Sequence, residues 1–280
     1  MTTPADIDAF TSSTLKHLRE SWWDDDFTAF LVETLRPRSG NRILDVGCGE
    51  GLAEVTIGRL HISQIRLIGI DLVVSKVVAA RKETASHNQR AAFAAADACR
   101  LPFKNASFDS LYCIAVLQHI ADVDAAVAEF ARVTARGGRV VAVEPDNGAR
   151  YAFSSTPAGR EAFDLSAKFF AAVAAARGES TEYAIGPKVP GLFAKHGIEP
   201  IDVRLFPVSQ RRLGASSAAE WTARRRAVER AVQEAPAAAQ EVGRQLLDAL
   251  AAYEGESAQA GAAFVEIQNT MLFATVGQVT

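Results

Sequence analysis

The chain has 280 residues, 49% of them hydrophobic, 22% charged, with a formal net charge of −3. That is enough apolar material for one large α/β domain, or a domain with an added cap. The longest basic cluster is Arg224-Arg225-Arg226, too small a positive surface to track a phosphate backbone, so nucleic acid is not an expected partner. Cys48, Cys99 and Cys113 are odd in number and lack C-x-x-C spacing, which argues against a disulfide framework or a zinc site and suits a reduced cytoplasm.

The N-terminus, MTTPADIDAF, is acidic and polar, without the basic and apolar regions of an export signal. The longest small-apolar run, about Ala167 to Ala176, is interrupted by Lys168 and is too short to span a bilayer, so a cytoplasmic protein without membrane association is expected. In LRESWWDDDFTAFL, Phe27, Phe30 and Leu31 share one helix face, and Asp24, Asp25 and Asp26 precede them as a cap and dipole partners. Trp22 and Trp23 have two readings, packing or one wall of a pocket.

From residue 40 to about 145, short β-branched runs alternate with helical patterns, which predicts βα units and a parallel sheet. The strands are expected at Arg42 to Val46, Arg66 to Asp71, Ala91 to Ala95, Ser107 to Ile114 and Gly138 to Glu144. Their nearly continuous apolar character fits strands covered on both faces. Val123, Val127, Phe130 and Val133 form a helical stripe between the last two. Beyond Glu144 the alternation stops. Residues 148 to 180 read as an aromatic, Ala-rich helix; Val189, Leu192 and Phe193 share a face of a short helix ending near Gly197. A strand follows near Glu199 to Val208, then a helical stretch from Ser216 to Tyr253 and a last strand from Phe264 to Val276.

The chemistry concentrates at strand ends. Gly47-x-Gly49-x-Gly51 is a strand-to-helix turn through which backbone can approach a ligand, one residue shorter than the G-x-G-x-x-G of dinucleotide folds. Asp45 before it would repel a pyrophosphate and suits a ligand that carries positive charge. Asp71, twenty residues after Gly51, ends the second strand where an acid accepts both hydrogen bonds of a ribose diol. The third strand ends in Asp97-Ala98 and the fourth in Tyr112-Cys113-Ile114, so four successive strands carry such features on the ligand-binding edge of an open sheet.

In ILDVGCGEG, LIGIDL, AAADACRLPF, FDSLYCIAVLQHI and ARGGRVVAVEPD the chain resembles the class I S-adenosylmethionine-dependent methyltransferases of the small-molecule type, over roughly residues 40 to 146. The resemblance implies a Rossmann-like seven-stranded, mostly parallel sheet with an antiparallel last strand, helices on both faces and helical lid insertions. It also implies a layout in one domain: a helical lid segment over 1–39, the cofactor-binding core over 40–146, and sheet completion with helical caps over 147–280. S-adenosylmethionine would be the cofactor and S-adenosylhomocysteine the product. Asp45, Gly47, Cys48 and Gly49 would lie at its methionyl part, Asp71 at the ribose, Leu72, Asp97 and Ala98 at adenine, and Ile114 near the methionyl amine.

His119, beside the expected position of the methyl group, is the candidate base, with packing as the other reading; His17, His61, His87 and His196 read as surface or packing residues. Cys48 reads as a small residue tolerated beside the cofactor. Tyr151, Phe153, Phe169 and Phe170 read as insertion core or, as the resemblance implies, as a cover for a flat apolar acceptor, with Trp22, Trp23, Tyr151 and Phe169 the chosen substrate contacts. Glu144, Asp146 and Asn147 do not form a recognisable Mg²⁺ set, and no metal is expected. Arg224 to Arg226 read as the solvated side of a helix. The expected activity is methylation of a small aromatic natural product, at an indole-type carbon or nitrogen, with a phenolic oxygen as the alternative; a cofactor-binding scaffold and a nicotinamide dehydrogenase are the rivals.

Overall fold

A computed structural model of the chain describes residues 22–59, 65–87, 90–176 and 184–280. His17, His61, residues 177–180 of the Ala-rich stretch and the first 21 residues of the expected lid segment lie outside them. Seven strands, β1 (Arg42–Val46), β2 (Arg66–Asp71), β3 (Ala91–Ala95), β4 (Phe108–Ile114), β5 (Thr134–Ser154), β6 (Ile198–Leu213) and β7 (Val265–Val279), form one sheet in the order β3-β2-β1-β4-β5-β7-β6. The pairs β1–β2, β1–β4, β2–β3 and β4–β5 are parallel.

The last strand is antiparallel, and the bonds at its two ends show it. Near one end Ser155 N–H meets Val265 O, while Gln278 reaches Gly137 O at the other, so β7 runs against β5. Gly214 N–H to Phe264 O and Thr280 N–H to Gly197 O give the same sense against β6. Because β1 is followed in space by β2 on one side and β4 on the other, a crevice opens at their carboxyl ends, where open α/β sheets take ligands.

Contacts divide the described chain into two compact units: one of residues 22–148, 184–206 and 271–280, the other of 149–176 and 207–270. The first has helices α1 (Asp25–Leu35), α2 (Leu52–Gly58), α3 (Val74–Ser86), α4 (Val123–Val133) and α6 (Val189–Lys195). Asp24 caps α1 by accepting the Phe27 N–H at 2.8 Å, and Phe27 and Phe30 bury their rings against Phe206. The α4 stripe, Val127, Phe130 and Val133 with Ala126, packs on Leu111, Val140, Ile185 and Phe193, removing the helix's apolar face from water. His196 packs against this unit through Asp124, at 2.6 Å, whereas His87 is exposed at the end of α3.

The second unit carries α5 (Pro157–Ala176), α7 (Ala218–Gln233) and α8 (Ala237–Ala260). The sequence pattern differs from the structure at two places here. Residues 148–154 continue β5 instead of starting a helix: they are mostly exposed, so no buried apolar run marked them as strand. The stretch from Ser216 to Tyr253 is two helices, divided at Pro236, which lacks an N–H and starts α8.

Arg224 also departs from its expected solvated position. It is half-buried, lies over the rings of Trp221, Tyr253 and Phe163, and donates to Glu266 at 2.8 Å. Glu266, almost fully buried on β7, further accepts from Arg212 at 2.6 Å, Tyr253 Oη at 2.6 Å and Gln268 at 2.9 Å. Burial raises its carboxyl, but Arg224 foremost, then Tyr253 and Arg212, outweigh burial and hold it below the usual carboxylate range. A lowered acid contributes stability above its unfolded pKa and loses it as pH falls through the folded value.

Removing this charge leaves Arg224 among aromatic rings without its partner. Glu266→Gln is expected to cost about 2–4 kcal/mol in urea unfolding, and the deficit against wild type should shrink on acidification; a neutral substitution would show the ion cluster to be dispensable.

Candidate functional site

The glycine turn after β1 is fixed by backbone bonds and by close approach. Gly47 and Cys48 both donate to Ile70 O at 2.8 Å, which holds the turn to the end of β2. Gly47 has φ 76°, and a Cβ there would meet Val116 at 2.3 Å; only glycine combines that conformation with that contact. Gly49, at φ 54°, is different: a Cβ would meet nothing within 4 Å, so its open side faces free space.

Asp71 ties this turn to β2. One carboxylate oxygen accepts the Gly49 N–H at 3.0 Å and the other the Val73 N–H at 2.9 Å. Each oxygen keeps a lone pair for a further donor. Leu72 next to it is 45% exposed, unusual for an apolar side chain at a strand end, and leaves a flat hydrophobic surface beside the acid. Asp97 folds its carboxylate onto the Cys99 N–H at 2.9 Å and so shapes the turn that presents Ala98.

The fourth strand delivers the other side. Ala115, directly after β4, takes a left-handed φ of 55° and anchors its N–H on Val143 O at 2.8 Å. A non-glycine residue in this region stores strain that the surrounding structure must offset. Glu144, fully buried on β5, does so: its carboxylate accepts the N–H groups of Val116 and Leu117 at 2.8 Å and of Gln118 at 3.4 Å. The short turn Leu117–His119 is thereby clamped, with Asn147 also donating to Gln118 at 3.0 Å.

These segments surround one cavity of about 290 Å³. Asp45, Gly47, Cys48, Gly49, Asp71, Leu72, Asp97, Ala98, Ile114 and His119 all line it, and Trp22, Trp23 and Ile120 complete the wall. Trp22 is 6% exposed, with no hydrogen-bond partner on its indole nitrogen among the described residues, and Trp23 stands edge-on to Phe27. Two expected substrate contacts are elsewhere, in the second unit. Phe169 is 1% exposed in a core with Trp221, Leu246 and Tyr253, its ring enclosed by protein neighbours; Tyr151 is exposed on β5.

The electrostatics are one-sided. Asp45 is held far above the usual carboxylate range, first by burial and then by Glu54. The Cys48 thiol is raised by burial and by Asp45, Glu54 and Asp71, so it is a neutral wall residue without nucleophilic character. Among the described residues no group of three His, Cys, Asp or Glu could hold a metal ion, and no helix is long and apolar enough to cross a membrane. Sequence reasoning weighed Glu144 only as a metal ligand, and set that aside, and passed over Glu54. The first spans 28 positions to backbone N–H groups, which no motif records; the second sits inside an apolar helical run whose acid was the only signal.

A site of this kind fits a nucleoside-bearing cation. The open side of Gly49 admits backbone-close contact, Asp71 can take hydroxyls, Leu72 a base, and the buried acids a positive charge. Residues 44–142 match the methyltransferase domain family. The chain is 37% identical over 115 residues to an O-methyltransferase of Pyrenophora dematioidea (40% of this chain, 42% of that one). It is 31% identical over 159 residues to the 27-O-demethylrifamycin SV methyltransferase of Amycolatopsis mediterranei (52% and 56%). The match thus spans about half the length of these relatives.

In fold, the chain is similar to the YcgJ protein of Bacillus subtilis (TM-score 0.56, 19% identity, 90% of this chain and 98% of that one). It is also similar to the [4+2]-cyclase SpnF (TM-score 0.53, 18% identity, 91% and 82%). Fold, turn and domain together define a Rossmann-like cofactor-binding protein. Over residues 44–142 the chain carries a methyltransferase domain, for which S-adenosylmethionine is the cofactor.

Asp71→Ala removes the acceptor that joins the glycine turn to the end of β2. Its affinity for S-adenosylmethionine, measured by calorimetry, should fall by about 1–3 kcal/mol; an unchanged affinity would remove Asp71 from the site. Glu144→Gln keeps the shape but not the charge, and is expected to lower stability by about 1–2 kcal/mol through three weakened charge-assisted bonds, read by thermal unfolding.

Proposed function

We propose that this protein transfers a methyl group from S-adenosylmethionine to a small aromatic natural-product acceptor. The observation that carries the reading is that one cavity joins the glycine turn and Asp71 to His119 and the tryptophans. The cofactor supplies a methyl group activated on a sulfonium; the chain's own work is positioning and proton handling. Asp71 accepts from the ribose hydroxyls, Leu72 covers the base beside Asp97 and Ala98, and Asp45 opposes the positive charge. Gly47 and Gly49 let the backbone approach the methionyl part, and Ile114 offers its carbonyl to the methionyl amine.

Trp22 and Trp23 form the flat wall against which an aromatic acceptor stacks, which favours a ring over an aliphatic chain. His119, held by the Glu144 clamp, takes the acceptor's proton as its nucleophilic atom gains the methyl. On an indole-type ring the proton leaves the ring N–H while carbon or nitrogen is alkylated. A phenolic hydroxyl is the second reading, favoured by the names of the relatives, several of which are O-methyltransferases. With a net charge of −3 and a cavity of this size, a small molecule suits the site better than a nucleic acid. Work in the cytoplasm agrees with three unpaired cysteines.

The test is incubation of the full chain with S-adenosylmethionine and a panel of indoles, aromatic amines and phenols, scored by mass spectrometry for products heavier by one methylene. Tight cofactor binding with no product from any extract or panel would leave a scaffold in place of an enzyme. On the acceptor so found, His119→Ala is expected to lower turnover about 10²-fold with cofactor affinity unchanged; full activity would return His119 to packing.

A further inference from the structure

The register of the sheet sets a row of residues abreast under the cavity: Phe93 on β3, Gly69 on β2, Asp45 on β1 and Tyr112 on β4. Gly69 leaves a gap in that row. Glu54 of α2 fills it from above, so closely that a Cβ on Gly69 would lie 2.5 Å from Glu54 Oε1. Glu54 is 0% exposed, Tyr112 0% and Asp45 4%; only Asp45 reaches the cavity lining. Neither Glu54 oxygen has a hydrogen-bond partner in aligned geometry, and no ion pair reaches Glu54 or Asp45 from any described Lys, Arg or His. Lys76, the lysine of the cavity wall, is engaged with Glu50 at 3.0 Å.

Two buried carboxyls with no protein cation cannot both ionise, because each unpaired charge in low dielectric costs several kcal/mol. We propose that Glu54 is a positioning residue for the cofactor-binding acid: Asp45 and Glu54 share one proton in the free protein and release it when the cationic cofactor enters. The groups that face the pair from the elements around it are Tyr112 of β4, Asp71 of β2 and Cys48 of the turn, all neutral or acidic, so none supplies the missing positive charge. Burial, the largest cause for both carboxyls, pushes Glu54 up to about 7 and holds Asp45 well above the usual carboxylate range. The proton therefore moves within the neutral range. Glu54 has a use that packing alone does not explain: it keeps Asp45 uncharged until a cation arrives, then leaves an anion facing it.

The sign follows from linkage. A proton released on binding makes affinity rise with pH, by at most about tenfold per unit for one proton, until the free pair has ionised. Calorimetric titration of the full chain with S-adenosylmethionine at pH 6 to 8.5, repeated in buffers of different ionisation enthalpy, counts the released protons directly. Wild type should release a substantial fraction of one proton near neutrality. Glu54→Gln takes away the carboxyl that shares the proton, relieves Asp45 of its acidic neighbour, and should reduce both the release and the pH slope while binding persists. Asp45→Asn should bind weakly at every pH. A flat wild-type profile, or a slope undiminished in Glu54→Gln, overturns the proposal. Absence of binding at any pH would overturn the cofactor assignment and the proposal with it. The wild-type count stands without any variant, so it decides the matter even if Glu54→Gln does not fold.

Discussion

The cavity depends on the carboxylate of Asp71. Its two oxygens bind backbone N–H groups 24 residues apart in the chain, one in the glycine turn after β1 and one at the start of α3. Because these bonds are charge-assisted and local to a strand end, they hold two loops that would otherwise move independently. The same side chain also lines the cavity. Position and chemistry come from the same group, and so the acid cannot be treated as a ligand contact alone.

Much of the first unit was legible because burial writes itself into composition. Strands β1 to β4 lie under helices on both faces, and their apolar runs announced them to within a residue. The glycine spacing, Asp71 and Asp97 fell on the expected edge for the same reason. What stayed illegible was set by partners far off in sequence. Glu144, set aside as a metal acid, had no other visible role in the sequence, because its three backbone N–H partners lie 26 to 28 positions away. Arg224 looked solvated because a lone helix shows no sign that Glu266, 42 positions on, will meet it. Phe169 carried the same aromatic signal as a pocket wall, yet faces Tyr253's core, since a helix periodicity tells which residues share a face but not what that face meets.

The two units solve the burial of charge in opposite ways. In the second, Glu266 brings its own cations, so the cluster is complete without help and serves as a fixed corner between β7, α7 and α8. In the first, the acids under the glycine turn have none, and the structure leaves their charge to a visitor. A closed ion cluster is a structural device; an open one is a receptor. The contrast is visible in the tyrosines: Tyr253 donates its O–H to a Glu266 that two arginines also hold, whereas Tyr112 lies abreast of Asp45 with no arginine or lysine among the described residues paired to that acid.

Strand β6 closes the sheet on one side, and Ile201, Val203 and Leu205 stand exposed along it. A long open ladder with apolar residues is a template on which another chain could grow. Pro200 and Pro207 interrupt its donors, and Asp202 and Arg204 alternate with the apolar residues, paired to each other at 3.1 Å. Prolines, whose amide nitrogen carries no hydrogen, and charges set between the apolar residues deny a second strand its register. That border thus carries its own guard against edge-to-edge pairing, and the residues that supply it are those a designer would be tempted to simplify.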